Sequence, residues 1–82
     1  MNAPTLPVIV AEIPKNQAEA FRVTLNSFKG STVIDIRTFF RNGDELKPTR
    51  SGLSTSVRHL PALAAAMTEA LARARSMGLV EE

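Results

Sequence analysis

The chain contains no cysteine and a single histidine, His59. Disulfide staples, thiolate nucleophiles and Cys-based metal sites are therefore excluded. A lone imidazole with no evident nucleophile beside it argues against acid–base catalysis and against a His-rich metal site. There is no glycine-rich phosphate loop and no metal-ligand spacing. Asp44 and Glu45 adjoin a turn signal and read as solvent-exposed acids. These absences predict a protein that is not an enzyme and that has no cofactor and no metal. No apolar run approaches the ~20 residues needed to cross a bilayer. The N-terminal run MNAPTLPVIVAEIPK has no basic stretch ahead of its short apolar segment, so it is a poor signal peptide. The expectation is a soluble, cytoplasmic protein.

What the chain does have is a concentrated charge pattern. Its 82 residues predict one domain with a limited core. Without disulfides or metal, oligomerisation is the remaining route to extra stability. The formal charge of +2 understates the middle of the chain. From Lys15 to Arg58 there are eight basic and four acidic residues, so that segment is +4 and the two ends together are −2. Positive charge gathered in this way fits an anionic partner. Aromatic residues are scarce, but three of the four Phe fall between Phe28 and Ser54, interleaved with the basic residues. Basic groups attract phosphates and rings stack on bases, so this stretch is a candidate surface for single-stranded nucleic acid.

The periodicity sorts the chain into strands followed by a helix. Residues 1–7 read as an N-terminal arm, 8–77 as the domain and 78–82 as a tail. Val8 to Ile13 is a β-branched run that predicts a first strand. Glu19 to Ser27 alternates, with Phe21, Val23 and Leu25 on one face and Arg22, Thr24 and Asn26 on the other. Gly30 supplies a hairpin turn. Thr32 to Arg41 alternates again: Ile34, Ile36 and Phe40 share one face, and Val33, Asp35, Arg37, Phe39 and Arg41 the other. Asn42-Gly43 is a second hairpin signal. Glu45 to Lys47 begins a further strand, and Pro48 confines it to an edge, a bulge or a strand end. Thr49 to Ser56 reads as a Ser/Thr/Gly connector, with Ser54 and Ser56 as helix N-cap candidates. From about Leu60 the spacing turns helical, through Leu60, Leu63, Met67, Leu71 and Ala74. Pro61 belongs in its first turn and Gly78 is a C-terminal stop.

The fold class is therefore α+β: an antiparallel sheet of about four strands followed by one C-terminal helix. The helix is expected to cover the Phe21/Val23/Leu25 and Ile34/Ile36 face. The face bearing Arg22, Arg37 and Arg41 has no second helix to cover it. Leu60, Leu63, Met67 and Leu71, with the small Ala surface around them, predict a homodimer through the helix. By alternation alone, Phe39 is the ring on the basic face and Phe40 belongs to the core.

The segments FKG, VIDIR, the FF pair, LKP, R-x-G and the LS that follows, in that order and spacing, carry a resemblance. The chain resembles the single-stranded-DNA-binding domain of the transcriptional coactivator positive cofactor 4 family, and more closely its short bacterial or phage relatives. The likeness covers about residues 8 to 76. It implies a curved antiparallel sheet, dimerisation through the helices, and paired channels that hold single-stranded DNA with little sequence preference. It implies that Phe28 and Phe40 stack on bases. It also implies that Lys29, Arg37, Lys47 and Arg50 face the backbone, with Arg22 and Arg41 on the same uncovered surface. The chain departs from the coactivator at Ser31 and Ser51, where basic residues are expected, and at Phe40, where the family often has Trp. All three departures imply a weaker grip. The long Ser/Lys-rich regulatory region of eukaryotic members is not present in the sequence. The implied function is sequence-tolerant single-stranded DNA binding in transcription regulation or DNA maintenance, by a nucleoid-associated protein that contacts transcription machinery. A protein-interaction module and a single-stranded RNA binder are the alternatives.

Overall fold

In the computed structural model, residues 5–81 are described. Four strands follow one another, β1 (Val8–Pro14), β2 (Glu19–Phe28), β3 (Ser31–Asn42) and β4 (Glu45–Ser56). A single 3-10 turn, Val57–His59, leads into the helix α1 (Leu60–Ser76). The sheet is an antiparallel meander in the order β1-β2-β3-β4, so β1 and β4 are its edges. Part of the predicted N-terminal arm lies outside the described residues.

Each connection has a local cause. Asn16 folds the β1–β2 turn: its Oδ1 accepts from the backbone N–H of Ala18 and of Glu19, both at 2.8 Å. This is the Asx geometry expected of Asn in a turn. Between β2 and β3, Lys29 and Gly30 both have positive φ, 50° and 80°. That pattern matches the twist of the flanking strands. Between β3 and β4 only Gly43 is left-handed, at φ 68°. The turn is therefore centred on Gly43-Asp44, one residue later than the Asn42-Gly43 signal suggests.

The register places side chains as alternation predicts. Phe21, Val23 and Leu25 lie opposite Thr38, Ile36 and Ile34 on one face, and Arg22 lies opposite Arg37 on the other. The segment 49–56 differs from expectation: it is strand, not connector. Gly52, Leu53, Ser54, Thr55 and Ser56 pair with Arg37, Ile36, Asp35, Ile34 and Val33. A Ser/Thr/Gly sequence is tolerated there because β4 is an edge strand that buries little. Gly52 is also required by space: a Cβ on it would stand 2.5 Å from the carbonyl oxygen of Ile36. The register slips between Arg37 and Phe39, so Thr49, Arg50 and Ser51 form a bulge, as Pro48 signalled. Ser56 caps the 3-10 turn by accepting from the Arg58 N–H at 3.4 Å. Pro61 sits in the first turn of α1. The helix ends in a Schellman arrangement around Gly78, whose φ is 74°, with Leu79 N–H donating to Ala74 O and Gly78 N–H to Arg75 O.

One expectation fails. The helix does not lie on the Phe21/Val23/Leu25 and Ile34/Ile36 face: α1 contains no buried residue. Ile34, at 3% exposure, is the sole buried apolar residue among those described. The helix starts beside β4, where Leu53, Thr55, His59, Ala62 and Leu63 line an open apolar groove, and then projects away. The radius of gyration is accordingly 15.0 Å, against about 12 Å for a compact domain of this length.

Candidate nucleic-acid interface

The rings and cations singled out in the sequence fall into three neighbourhoods. The first is the tip of the β2–β3 hairpin. Phe28 ends β2 and is 61% exposed. Lys29 follows in a left-handed conformation, with its Nζ 5.4 Å from the Phe28 ring centre. Non-glycine residues adopt that backbone infrequently. Here it aims ring and ammonium outward together.

The second neighbourhood is the opposite end of β3. Phe40 lies on the apolar face and is 41% exposed, because no helix covers it. It pairs across the ladder with Lys47. Lys47 and Arg50 make no ion pair or side-chain hydrogen bond among the described residues, and the bulge turns Arg50 off the regular ladder. The strand rise puts the two ends of β3 about 30 Å apart.

The third is the basic face between them. Arg22 lies over the Phe39 ring, with its guanidinium carbon 4.2 Å from the ring centre. Phe39 is therefore half-buried and covered by a cation of its own chain. Arg22 also donates from Nη2 to Glu12 Oε2 at 3.2 Å. Beside it, Arg37 is clamped: Nη2 donates to Asp35 Oδ1 at 2.8 Å, Nε to the same carboxylate at 3.2 Å, and Nη1 to the Thr49 carbonyl at 3.0 Å. The hydrogen bonds from Asp35 raise the pKa of Arg37 further above its ordinary value. Arg41 makes no ion pair or side-chain hydrogen bond among the described residues and borders a recess of about 170 Å³ shared with Glu12, Asn16 and Glu19.

The nine residues thus do not form one patch. Arg22, Arg37, Phe39 and Arg41 share the basic face, Phe40 and Lys47 the apolar one, Phe28 and Lys29 the hairpin tip, and Arg50 lies in the β4 bulge. Glu12 escaped the sequence reading, although its signal was there as the one charge within the apolar run VIVAEI. In the dimer seam read from the helix, Leu60 and Leu63 are half-buried, while Met67 (69%) and Leu71 are exposed. No cluster of His, Asp or Glu among the described residues could hold a metal, and no helix is long and apolar enough to cross a membrane.

Fold and surface together define a meander-and-helix domain whose sheet carries exposed rings beside unpaired cations. Residues 15–66 match the family Transcriptional Coactivator p15 (PC4). The chain belongs to that family. Two solved structures show the same fold. BPSL1147, a PC4 homolog from Burkholderia pseudomallei K96243, superposes in its orthorhombic crystal form with a TM-score of 0.74 at 21% identity, covering 84% of this chain and 95% of that one. The bacteriophage T5 homolog of the eukaryotic coactivator PC4, implicated in recombination-dependent DNA replication, superposes with a TM-score of 0.64 at 25% identity, covering 93% and 86%. No curated protein sequence matches. The family is one of single-stranded-DNA-binding domains without enzymatic activity.

Proposed function

We propose that this chain acts as a homodimeric, sequence-tolerant single-stranded-DNA-binding protein, serving transcription regulation or DNA maintenance in the cytoplasm at the nucleoid. The observation that carries this reading is the pairing of an exposed ring with an adjacent cation at both ends of β3, Phe28 with Lys29 and Phe40 with Lys47. Ring plus cation is the sequence-tolerant means of holding a single strand: every base has a face to stack, and every nucleotide a phosphate to neutralise. Phe39 does not offer such a face, because Arg22 covers it.

Surface area supports the dimer. The protomer exposes 6630 Å², whereas a compact monomer of its mass exposes about 4,800 Å². The excess of about 1,800 Å² is more than the ~800 Å² per partner of a standard interface and falls in the obligate range. The exposed stripe of Met67 and Leu71 and the groove at Leu53 and Leu63 supply an apolar surface for a second copy.

The test is fluorescence anisotropy with labelled oligo-dT, oligo-U and duplex across a salt series. Among the described residues Lys29, Arg41, Lys47 and Arg50 have no carboxylate partner, so about four phosphates per site give a log–log salt slope of about −3. Preference for oligo-dT over duplex with that slope supports the reading. Equal affinity for duplex refutes it, and stronger binding of oligo-U reassigns the partner to RNA. Light scattering that shows a monomer at micromolar concentration refutes the dimer.

A further inference from the structure

The two carboxylate-paired arginines of the basic face are held very differently. Arg37 is held at all three of its nitrogens, with three contacts to Asp35 and one to the Thr49 carbonyl. A phosphate could displace none of these without breaking a bidentate pair. Arg22 has one carboxylate contact, a single 3.2 Å bond to Glu12. Its Nε is buried with no partner. What fixes Arg22 in place is the Phe39 ring beneath it, and a guanidinium seated on a ring keeps donors in its own plane for an acceptor. The exposures agree with a loose outer partner: the Arg22 side chain is 20% exposed and Glu12, on the edge strand, 42%.

Resting on the single-strand reading above, we propose that Arg22, carried on Phe39, is a phosphodiester-binding position, and that Glu12 is the residue that sets its affinity by competing for it. The carboxylate occupies the guanidinium donor that a backbone phosphate would take. Exchange is cheap at this position because the broken pair is a part-exposed, single-bonded one, and the released Glu12 returns to water. The same exchange at Arg37 would break three contacts to Asp35. Of the two, Arg22 is therefore the arginine that exchanges its carboxylate for a phosphate more readily, although the family resemblance points to Arg37.

The test is a double-mutant cycle on oligo-dT binding, with Glu12→Gln, Arg22→Gln and the double variant, and Glu45→Gln as a charge control. Glu45 makes no ion pair among the described residues, so its loss changes net charge alone. Glu12→Gln should bind oligo-dT about two- to fivefold more tightly, the worth of one part-exposed pair. The gain should vanish in the Arg22→Gln background. An equal gain in Glu45→Gln, a gain that survives without Arg22, or no gain overturns the proposal. Failure of the unaltered protein to bind oligo-dT removes the single-strand reading itself, a result distinct from any of these. Thermal scans of each variant verify that the fold is kept.

Discussion

Replacing Phe28 with Ala separates binding from folding more cleanly than any other change in this chain. Phe28 is 61% exposed at a hairpin tip, and the ring contact it makes is with Lys29. Its truncation removes little buried surface, so the fold should lose no more than about 0.5 kcal/mol, the scale of ordinary surface substitutions. If the ring stacks on a base, the same change costs about 1–3 kcal/mol of binding, or about 5- to 150-fold in affinity. Phe39 is the control. It is half-buried beneath Arg22, so Phe39→Ala exposes apolar surface, strands the guanidinium and should destabilise the fold by about 1–3 kcal/mol. The assay is anisotropy with oligo-dT beside urea denaturation, on both variants. The reasoning is refuted if Phe28→Ala lowers stability as much as Phe39→Ala, or if it leaves oligo-dT affinity unchanged.

Other changes test the fold and the assembly. Gly52→Ala should destabilise by about 2 kcal/mol or more, because its Cβ would meet the backbone of Ile36 and Arg37 at 2.5 and 2.9 Å, and backbone cannot swing aside; chemical denaturation reads this directly. Met67→Glu places a charge on the exposed helix stripe and should yield a monomer by light scattering. An unchanged dimer would move the interface off the helix. Asn16→Ala removes two backbone hydrogen bonds from the β1–β2 turn and should cost about 1 kcal/mol, read in a urea melt. The same residue governs a small pH effect. The Asn16 hydrogen bond, then the Lys15 charge, hold Glu19 below its ordinary pKa. A depressed carboxylate stabilises the fold at pH above its unfolded value, and that increment fades as pH falls through the folded value. Asn16→Ala should therefore flatten the acid limb of the stability curve.

Several elements were legible along the chain because they depend on neighbours. Alternation in Glu19–Ser27 and Thr32–Arg41 depends only on the pleat, and every facing pair of β2 and β3 follows it. Gly30, Gly43 and Gly78 take the left-handed conformations that their turns and helix stop need. Pro48 confined its strand to an edge, a bulge or a strand end, and β4 is an edge strand with a bulge next to Pro48. The segment Thr49–Ser56 was misread because its strand character comes from pairing with β3, not from its own propensities. The candidate site was legible in its residue types but not in its partnerships. Nothing along the chain shows that Arg22 rather than solvent covers Phe39, or that Asp35 and Thr49 together hold Arg37. Those contacts cross strands, and the residues involved are up to seventeen positions apart.

The opening absences remain the frame for this division. With no cysteine, one histidine and few rings, the sequence by itself determined a small α+β chain, positively charged at its centre, with its strands, turns and helix in order. Those properties are local: they rest on spacing, turn chemistry and composition. Only the tertiary structure decided that the helix stands off the sheet, that the protomer keeps nearly all its apolar residues at least partly exposed, and which cations are already paired. The reason is that burial and ion pairing are properties of surfaces brought together in space, which spacing along a chain does not specify.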